Sequence, residues 1–277
     1  MRIDRPEQKI YVRQSWLNDM AICPERARYG QIRPDFRIGT DATIIGTALH
    51  SGIEQVLTGQ ISEFVPMLEF VNNEYETLAS EPHKVTNIDP DKIPNYLESM
   101  SLAFYDGILP HVELGGKVEQ RFTAPLTTTV NGFGIWVEGT MDYVSPSGVV
   151  WDWKTASRSY NIKEKQKSSI QASVYAEACV WNEWSPEYPV DFRYGVMLRQ
   201  EKPKSQIVSL IRTSSHALWL RQFVRGAVTT ALNTGYENNW FMNDSSALCS
   251  SNWCSYWSIC KGAFLRDGDN DMALQVE

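Results

Sequence analysis

The chain has 277 residues, of which 43% are hydrophobic, 12% aromatic and 21% charged, a balance that suits a packed core and argues against long disordered tracts. Its formal net charge of −7 works against nucleic acid as a partner of the whole surface, because a negative field repels phosphate. The charge is uneven, however. Lys154, Arg158, Lys163, Lys165 and Lys167 meet only Glu164 in their stretch, and Arg193, Arg199, Lys202 and Lys204 meet only Glu201, which leaves room for a local basic lane. The opening residues carry charges throughout, and no apolar run is long enough to span a bilayer, so the expectation is a soluble cytoplasmic protein without a membrane partner.

From the N-terminus, Ser15 reads as the N-cap of a helix running to Gly30, with Pro24 marking a kink or turn. A second helix follows over 40–59, with Ile44, Leu49, Ile53, Val56 and Leu57 at helical spacing, Gly59 as its stop and His50 projecting from its interior. Residues 61–109 read as helical around a loop at 81–94. After Gly115 and Gly116 the pattern changes to short β-branched and aromatic segments, 117–126, 132–144 and 148–155. Asn131-Gly132 and Pro146-Ser147-Gly148 separate them, as in an antiparallel three-stranded unit. A helix from about Lys165 to Trp181, strands at 190–198 and 205–211, and a helix from Ser214 to Tyr236 complete the order. The last forty residues lack periodicity and read as a loop around something other than a hydrophobic core. The expected architecture is α/β, a mixed central sheet with flanking helices, in one unit over 1–277: a mainly helical part at 1–110, a core at 115–212 and a helix with a cysteine-rich lobe at 213–277.

The richest stretch runs from Glu138 to Ser157. Asp142 falls at the end of one expected strand, and Asp152 and Lys154 lie two apart on the next, so period two puts that pair on one face. Two carboxylates with an adjacent cation are what phosphodiester hydrolysis with Mg²⁺ or Mn²⁺ requires: hard oxygen donors for the ion and a positive group for the developing charge. An ordinary surface D-x-K ion pair satisfies the same three letters. The flanking Val149, Val150, Trp151 and Trp153 argue for burial instead, where charges need partners.

Four motifs stand in order: GTALH with His50, GTMD with Asp142, DWK with Asp152 and Lys154, and QASVYA with Gln171 and Tyr175. This set, spread over residues 15–260, resembles the RecB-type branch of PD-(D/E)XK nucleases and implies a restriction-endonuclease-like core. The resemblance implies His50, Asp142 and Asp152 as metal ligands with the Trp153 carbonyl, Lys154 as the catalytic cation, and Gln171 and Tyr175 as residues that position substrate or the lysine. Glu119 on the preceding strand is a further candidate for an active-site carboxylate. The family pattern usually carries Glu where this chain has Asp152, a shorter reach to the metal.

Of the five cysteines, Cys249, Cys254 and Cys260 crowd the C-terminal part, and Cys23 lies on the first helix. In a reducing compartment such an array binds metal rather than forming disulfides, and four thiolates suit either tetrahedral zinc or a cubane cluster. One distant N-terminal cysteine with three clustered ones resembles the iron-sulfur subset of these nucleases, the CRISPR-associated RecB-like enzymes and the AddB nuclease domain, which implies a [4Fe-4S] cluster. Cys179, in a helical register, reads as a buried structural thiol.

The resulting expectation is a metal-dependent deoxyribonuclease, foremost an exonuclease on single-stranded DNA ends, acting in recombination, repair, CRISPR adaptation or phage DNA metabolism. Two other readings stay open: a DNA-end-binding module within a larger assembly, and a redox-responsive iron-sulfur protein.

Overall fold

The computed structural model describes residues 1–260 apart from Ile38, residues 82–87 and Asn252. Two short strands come first, β1 (Arg2–Asp4) and β2 (Lys9–Arg13). The sequence reading contained neither. Their charges line exposed positions, while Ile10 and Val12 alternate into the core. The expected first helix is two, α1 (Gln14–Ile22) and α2 (Pro24–Ile32), because Pro24 lacks the N–H to continue α1 and instead starts the next helix. Ser15 lies inside α1, and Arg13 occupies the N-cap without a side-chain hydrogen bond.

Helix α3 (Asp41–Leu57) is capped by Thr40, whose side chain accepts from Thr43 N, and the chain leaves it through Gly59 at φ +73°. Helices α4 (Phe64–Ala79) and α5 (Ile93–Gly107) flank the expected loop, part of which lies outside the described residues. Strands β3 (Lys117–Val130) and β4 (Phe133–Val144) form a hairpin whose Asn131-Gly132 turn has positive φ at both residues, as the primed turns need. Strand β5 (Val150–Ala156) precedes α6 (Ile162–Ser168) and α7 (Ile170–Trp181). These two helices replace the single one expected, since the Ser169 side chain caps α7 at Ala172 N. Strands β6 (Val190–Leu198) and β7 (Ser205–Arg212) and helix α8 (Ser214–Thr234) match the expected segments closely.

The seven strands form one mixed sheet in the order β1-β2-β4-β5-β6-β7, with β3 on β4. The expected antiparallel triple is realised only in part. β3 and β4 pair along most of their length, but β4 and β5 pair only at Tyr143↔Trp151 and Val144↔Val150, and β5 then runs parallel to β6 from Val150↔Phe192 to Ala156↔Leu198. Because β3 occupies one edge of β4, the other edge is shared by β2, at residues 134–138, and β5, at 143–144. Between them the backbone from Gly139 to Asp142 has no strand neighbour on that side among the described residues, and the sheet opens into a crack.

Each face of the sheet carries its own core. On one, Val150, Phe192 and Leu210 meet α1, α7 and α8; on the other, Trp151, Trp153 and Met197 meet α3, α4 and α5. Full burial of side chains this size stabilises by roughly 1.5–3 kcal/mol each. Trp153 lies across the neighbouring strand at Gly195, where a Cβ would come within 2.7 Å of the indole, so only glycine lets the β5 tryptophan lie there.

Candidate active site

The crack brings both layers to one point. Asp142, near the end of β4, accepts a 2.7 Å hydrogen bond from the backbone N–H of Trp153, which takes the place of the ladder bond that the diverging strands no longer make. Asp152, only 1% exposed, ion-pairs through Oδ2 with Lys154 and accepts at Oδ1 from Gln171 Nε2 at 2.6 Å. From the opposite layer, His50 Nδ1 on α3 lies 3.6 Å from Asp142 Oδ2.

Glu119 completes the cluster by an unusual route. In the β3–β4 register it falls opposite Asp142, between the pairs Val118↔Tyr143 and Gln120↔Met141, and its φ is +45°. A non-glycine residue there costs on the order of 1–3 kcal/mol and persists where its surroundings hold it. His50, Glu119 and Asp142 each offer one ligand atom, and the three atoms lie within 4.8 Å of one another. One imidazole and two carboxylates fit a divalent cation of the magnesium or manganese type. Asp152 stands beside this trio with its oxygens held by Lys154 and Gln171.

Electrostatics follow from this crowding of acids in a buried place. Burial raises Asp142, and burial together with Asp142 raises Asp152 to about 6, against the opposing pull of Lys154. Glu119 is pushed up to about 7 by burial and by the neighbouring carboxylates of Asp142 and Glu54. Burial and Lys154 lower His50, keeping it neutral and able to ligate. Burial opposes the charge on Lys154, yet Asp152 and Asp142 together hold its pKa above the ordinary lysine value. Excess negative charge is what a cation relieves.

Helix α7 fixes the acceptor geometry. Gln171 bridges Asp152 and the Tyr175 hydroxyl, at 2.6 and 3.2 Å, and Tyr175 donates to the carbonyl of Thr140 at 2.8 Å. Tyr175 thereby ties helix α7 to the β4 backbone beside the crack. Sequence reasoning missed Tyr194, which pairs with Asp152 across β5 and β6, meets the Ser169 hydroxyl at 2.6 Å and carries Lys154 5.9 Å from its ring centroid. The period of VDFRYGVML was legible, but its register against β5 was not.

The PD-(D/E)XK nuclease superfamily model matches residues 14–261. The chain belongs to that superfamily. No curated protein sequence matches it. Among solved structures, a candidate exonuclease from Eubacterium rectale superimposes over 90% of this chain and 92% of its own, at 12% identity and a TM-score of 0.55, a likeness of fold. Another, SSO0001, covers 94% of this chain and 89% of its own at 12% identity with a TM-score of 0.40, below what establishes a common fold.

In this PD-(D/E)XK protein a second cluster lies apart from the carboxylates. Cys23, Cys249, Cys254 and Cys260 line a single cavity of about 20 Å³, walled by Tyr29, Met242, Tyr256 and Trp257. Burial first, then Glu25 and the other thiols, pushes Cys260 up to about 11, so a bound cation is what would let this thiol group ionise. Four sulfurs around one space fit a thiolate-bound centre. Cys179 is buried on α7, with its thiol 3.6 Å from the Met141 sulfur and held up to about 12 by burial. Among the described residues no helix is long and apolar enough to cross a membrane.

Proposed function

We propose that the chain is a metal-dependent deoxyribonuclease that acts foremost as an exonuclease on single-stranded DNA ends, in recombination, repair, CRISPR adaptation or phage DNA metabolism. The observation that carries this reading is the bonded series Gln171–Asp152–Lys154 beside the converging ligands His50, Glu119 and Asp142. His50, Glu119 and Asp142 would hold Mg²⁺ or Mn²⁺, with Asp152 and the Trp153 carbonyl completing the set. When bound, the ion supplies a Lewis acid for the scissile phosphate and lowers the pKa of an attacking water.

The remaining work belongs to the protein. Lys154, kept charged by two carboxylates, places a fixed cation where negative charge grows on the phosphate. Gln171 holds Asp152 in one orientation, and Tyr175 locks Gln171 to the backbone of β4. The neutral His50 leaves a nitrogen lone pair for the ion. Cys23, Cys249, Cys254 and Cys260 are assigned to a [4Fe-4S] cluster that ties the two ends of one unit together; zinc would give the same ligand set without visible absorbance.

The test is digestion of end-labelled single-stranded, double-stranded and closed-circular DNA by anaerobically purified protein, with and without Mn²⁺, beside Asp152→Ala. Loss of linear DNA that needs metal and is absent in the variant is the expected result. Failure to cut any substrate while DNA ends are still bound would make the protein an end-binding module instead.

A further inference from the structure

Two hollows meet beside the carboxylates. One, of about 340 Å³, is lined by His50, Trp153 and Lys154 together with Ala42, Thr43 and Thr155. The other, of about 610 Å³, shares Ala42, Thr43 and Thr155 and continues to Arg158, Lys165, Arg199, Tyr160 and Trp253. They form one groove leading away from Lys154. Arg158 follows Lys154 by four residues, so it lies within roughly 14 Å of it at full extension, a reach of a few nucleotides. Its walls are basic: Arg158, Lys165 and Arg199 stand against Glu164 alone.

The far wall comes from the cysteine-bearing loop. Trp253 directly precedes Cys254, in a turn where Trp253 N and Cys254 N both donate to Ser250 O, at 3.2 and 2.9 Å. Tyr256 and Trp257 of the same loop line the sulfur cavity, whereas Trp253 is 69% exposed and turned to the groove. A single exposed tryptophan is ordinary on a protein surface. An indole in the wall of a cationic groove that begins at Lys154 is a different case, because cations track a phosphate backbone while a flat ring offers a platform to unpaired bases.

We infer that this groove receives an unpaired nucleic-acid strand and that Trp253 stacks on one of its bases, so the cysteine loop helps select single strands for the site. The inference deepens the nuclease reading above and rests on it. Phosphates pass Arg199, Arg158 and Lys165 towards Lys154. A centre held by Cys23, Cys249, Cys254 and Cys260 would fix where the indole of Trp253 stands.

The test uses the full chain with its metal centres and two probes. These are a 5′-fluorescein oligothymidylate, and bis(4-nitrophenyl) phosphate, a diester too short to reach Trp253. Trp253→Ala should weaken oligothymidylate binding roughly tenfold by anisotropy with Ca²⁺ in place of Mn²⁺. It should raise KM for oligonucleotide cleavage with kcat unchanged and leave Mn²⁺-dependent hydrolysis of the small diester intact, and Trp253→Phe should restore most of the affinity. A wild type that cleaves the oligonucleotide beside a Trp253→Ala variant equal to it in Kd and KM would overturn the groove assignment and leave the nuclease reading standing. A wild type that cleaves neither probe would remove the nuclease reading itself. Should Trp253→Ala lose the small-diester activity too, the loop is disturbed and the paired variant Arg158→Ala/Arg199→Ala decides. Weaker, less salt-dependent binding supports the groove, and unchanged binding overturns it.

Discussion

The carboxylate crack and the sulfur cavity reach order by opposite means. In the crack, Asp142 and Asp152 stand on strands whose backbones are fixed by neighbouring ladders, and each already has a protein partner, the Trp153 N–H for Asp142 and Lys154 for Asp152. Around the sulfur cavity, the described residues of 235–260 carry turns and no strand or α-helix. That segment is held by buried Trp240 in the core, by Tyr256 stacked on Tyr29 at 5.6 Å, and by polar contacts to the N-terminal helices. Buried Glu25, paired with Arg28, accepts from Trp240 N at 2.7 Å; Arg28 donates to Tyr236 O, and Asn243 Nδ2 donates to Ile22 O at 2.9 Å. The difference teaches that a site built on a sheet is preorganised by its ladders, whereas one built on a loop has only packing and turn contacts, so a centre held by the thiols would help to close more than two hundred residues of intervening chain.

Four measurements would break or sharpen that contrast, and the largest effect belongs to Lys154. Lys154→Met should lower Mn²⁺-dependent cleavage by at least about 10²–10³-fold in single-turnover assays while circular dichroism stays native, since it removes a fixed charge from the reacting phosphate. A variant within a few-fold of wild type would leave the crack without a catalytic role. Next comes Cys254→Ala, which should release iron or zinc by elemental analysis, bleach any visible absorbance and lower Tm by several degrees, with limited proteolysis cutting after α8. Unchanged metal content and Tm would mean that the polypeptide contacts alone hold the loop.

A smaller effect concerns pH. Glu119, raised in the folded protein to about 7 from an ordinary 4.5, binds its proton more tightly folded than unfolded. In the metal-free protein its contribution to stability is therefore fully present below about pH 4.5 and is lost as pH rises through 7. Subtracting the stability of Glu119→Gln from that of wild type should give a difference that falls between pH 5 and 8 by on the order of 1 kcal/mol, allowing for solvent screening of a half-buried group. Divalent-ion affinity by calorimetry should rise over the same interval, because the ion and the proton compete. A pH-independent difference would sink the assignment of Glu119 to the cluster. Smallest is Tyr175→Phe, which leaves the Thr140 carbonyl and Gln171 each without the phenol. It should cost about 1 kcal/mol in urea unfolding, with a modest loss of kcat and KM unchanged. A change in KM alone would place the hydroxyl on substrate.

The candidate site's side chains were legible because local chemistry fixes their spacing. Period two put Asp152 and Lys154 on one face, helical spacing placed His50 inside α3, and i, i+4 spacing joined Gln171 to Tyr175. The strands at 190–198 and 205–212 were read nearly to the residue because both are bounded by turn chemistry. Strands β1 and β2 were invisible, since short charged strands, β1 at the edge and β2 between β1 and β4, differ little from a loop until their neighbours are known. Ser15 was misread as a cap because hydroxyl side chains favour that position in general, whereas here β2 runs straight into α1 through Arg13.

By itself the sequence determined the kinds of group present and their local spacing: carboxylates and a lysine in a hydrophobic setting, an ordered motif set, and four thiols divided between two distant stretches. Only the tertiary structure decided which of them meet. The parting of β4 from β5, the opposition of Glu119 to Asp142 at a left-handed backbone position, the pairing of Tyr194 with Asp152 and the placing of Trp253 in one hollow with Arg158 and Arg199 all depend on register and packing between distant segments. Periodicity reports the environment of a residue along its own element. Which strand lies alongside, and in what register, is settled by the packing of the whole chain.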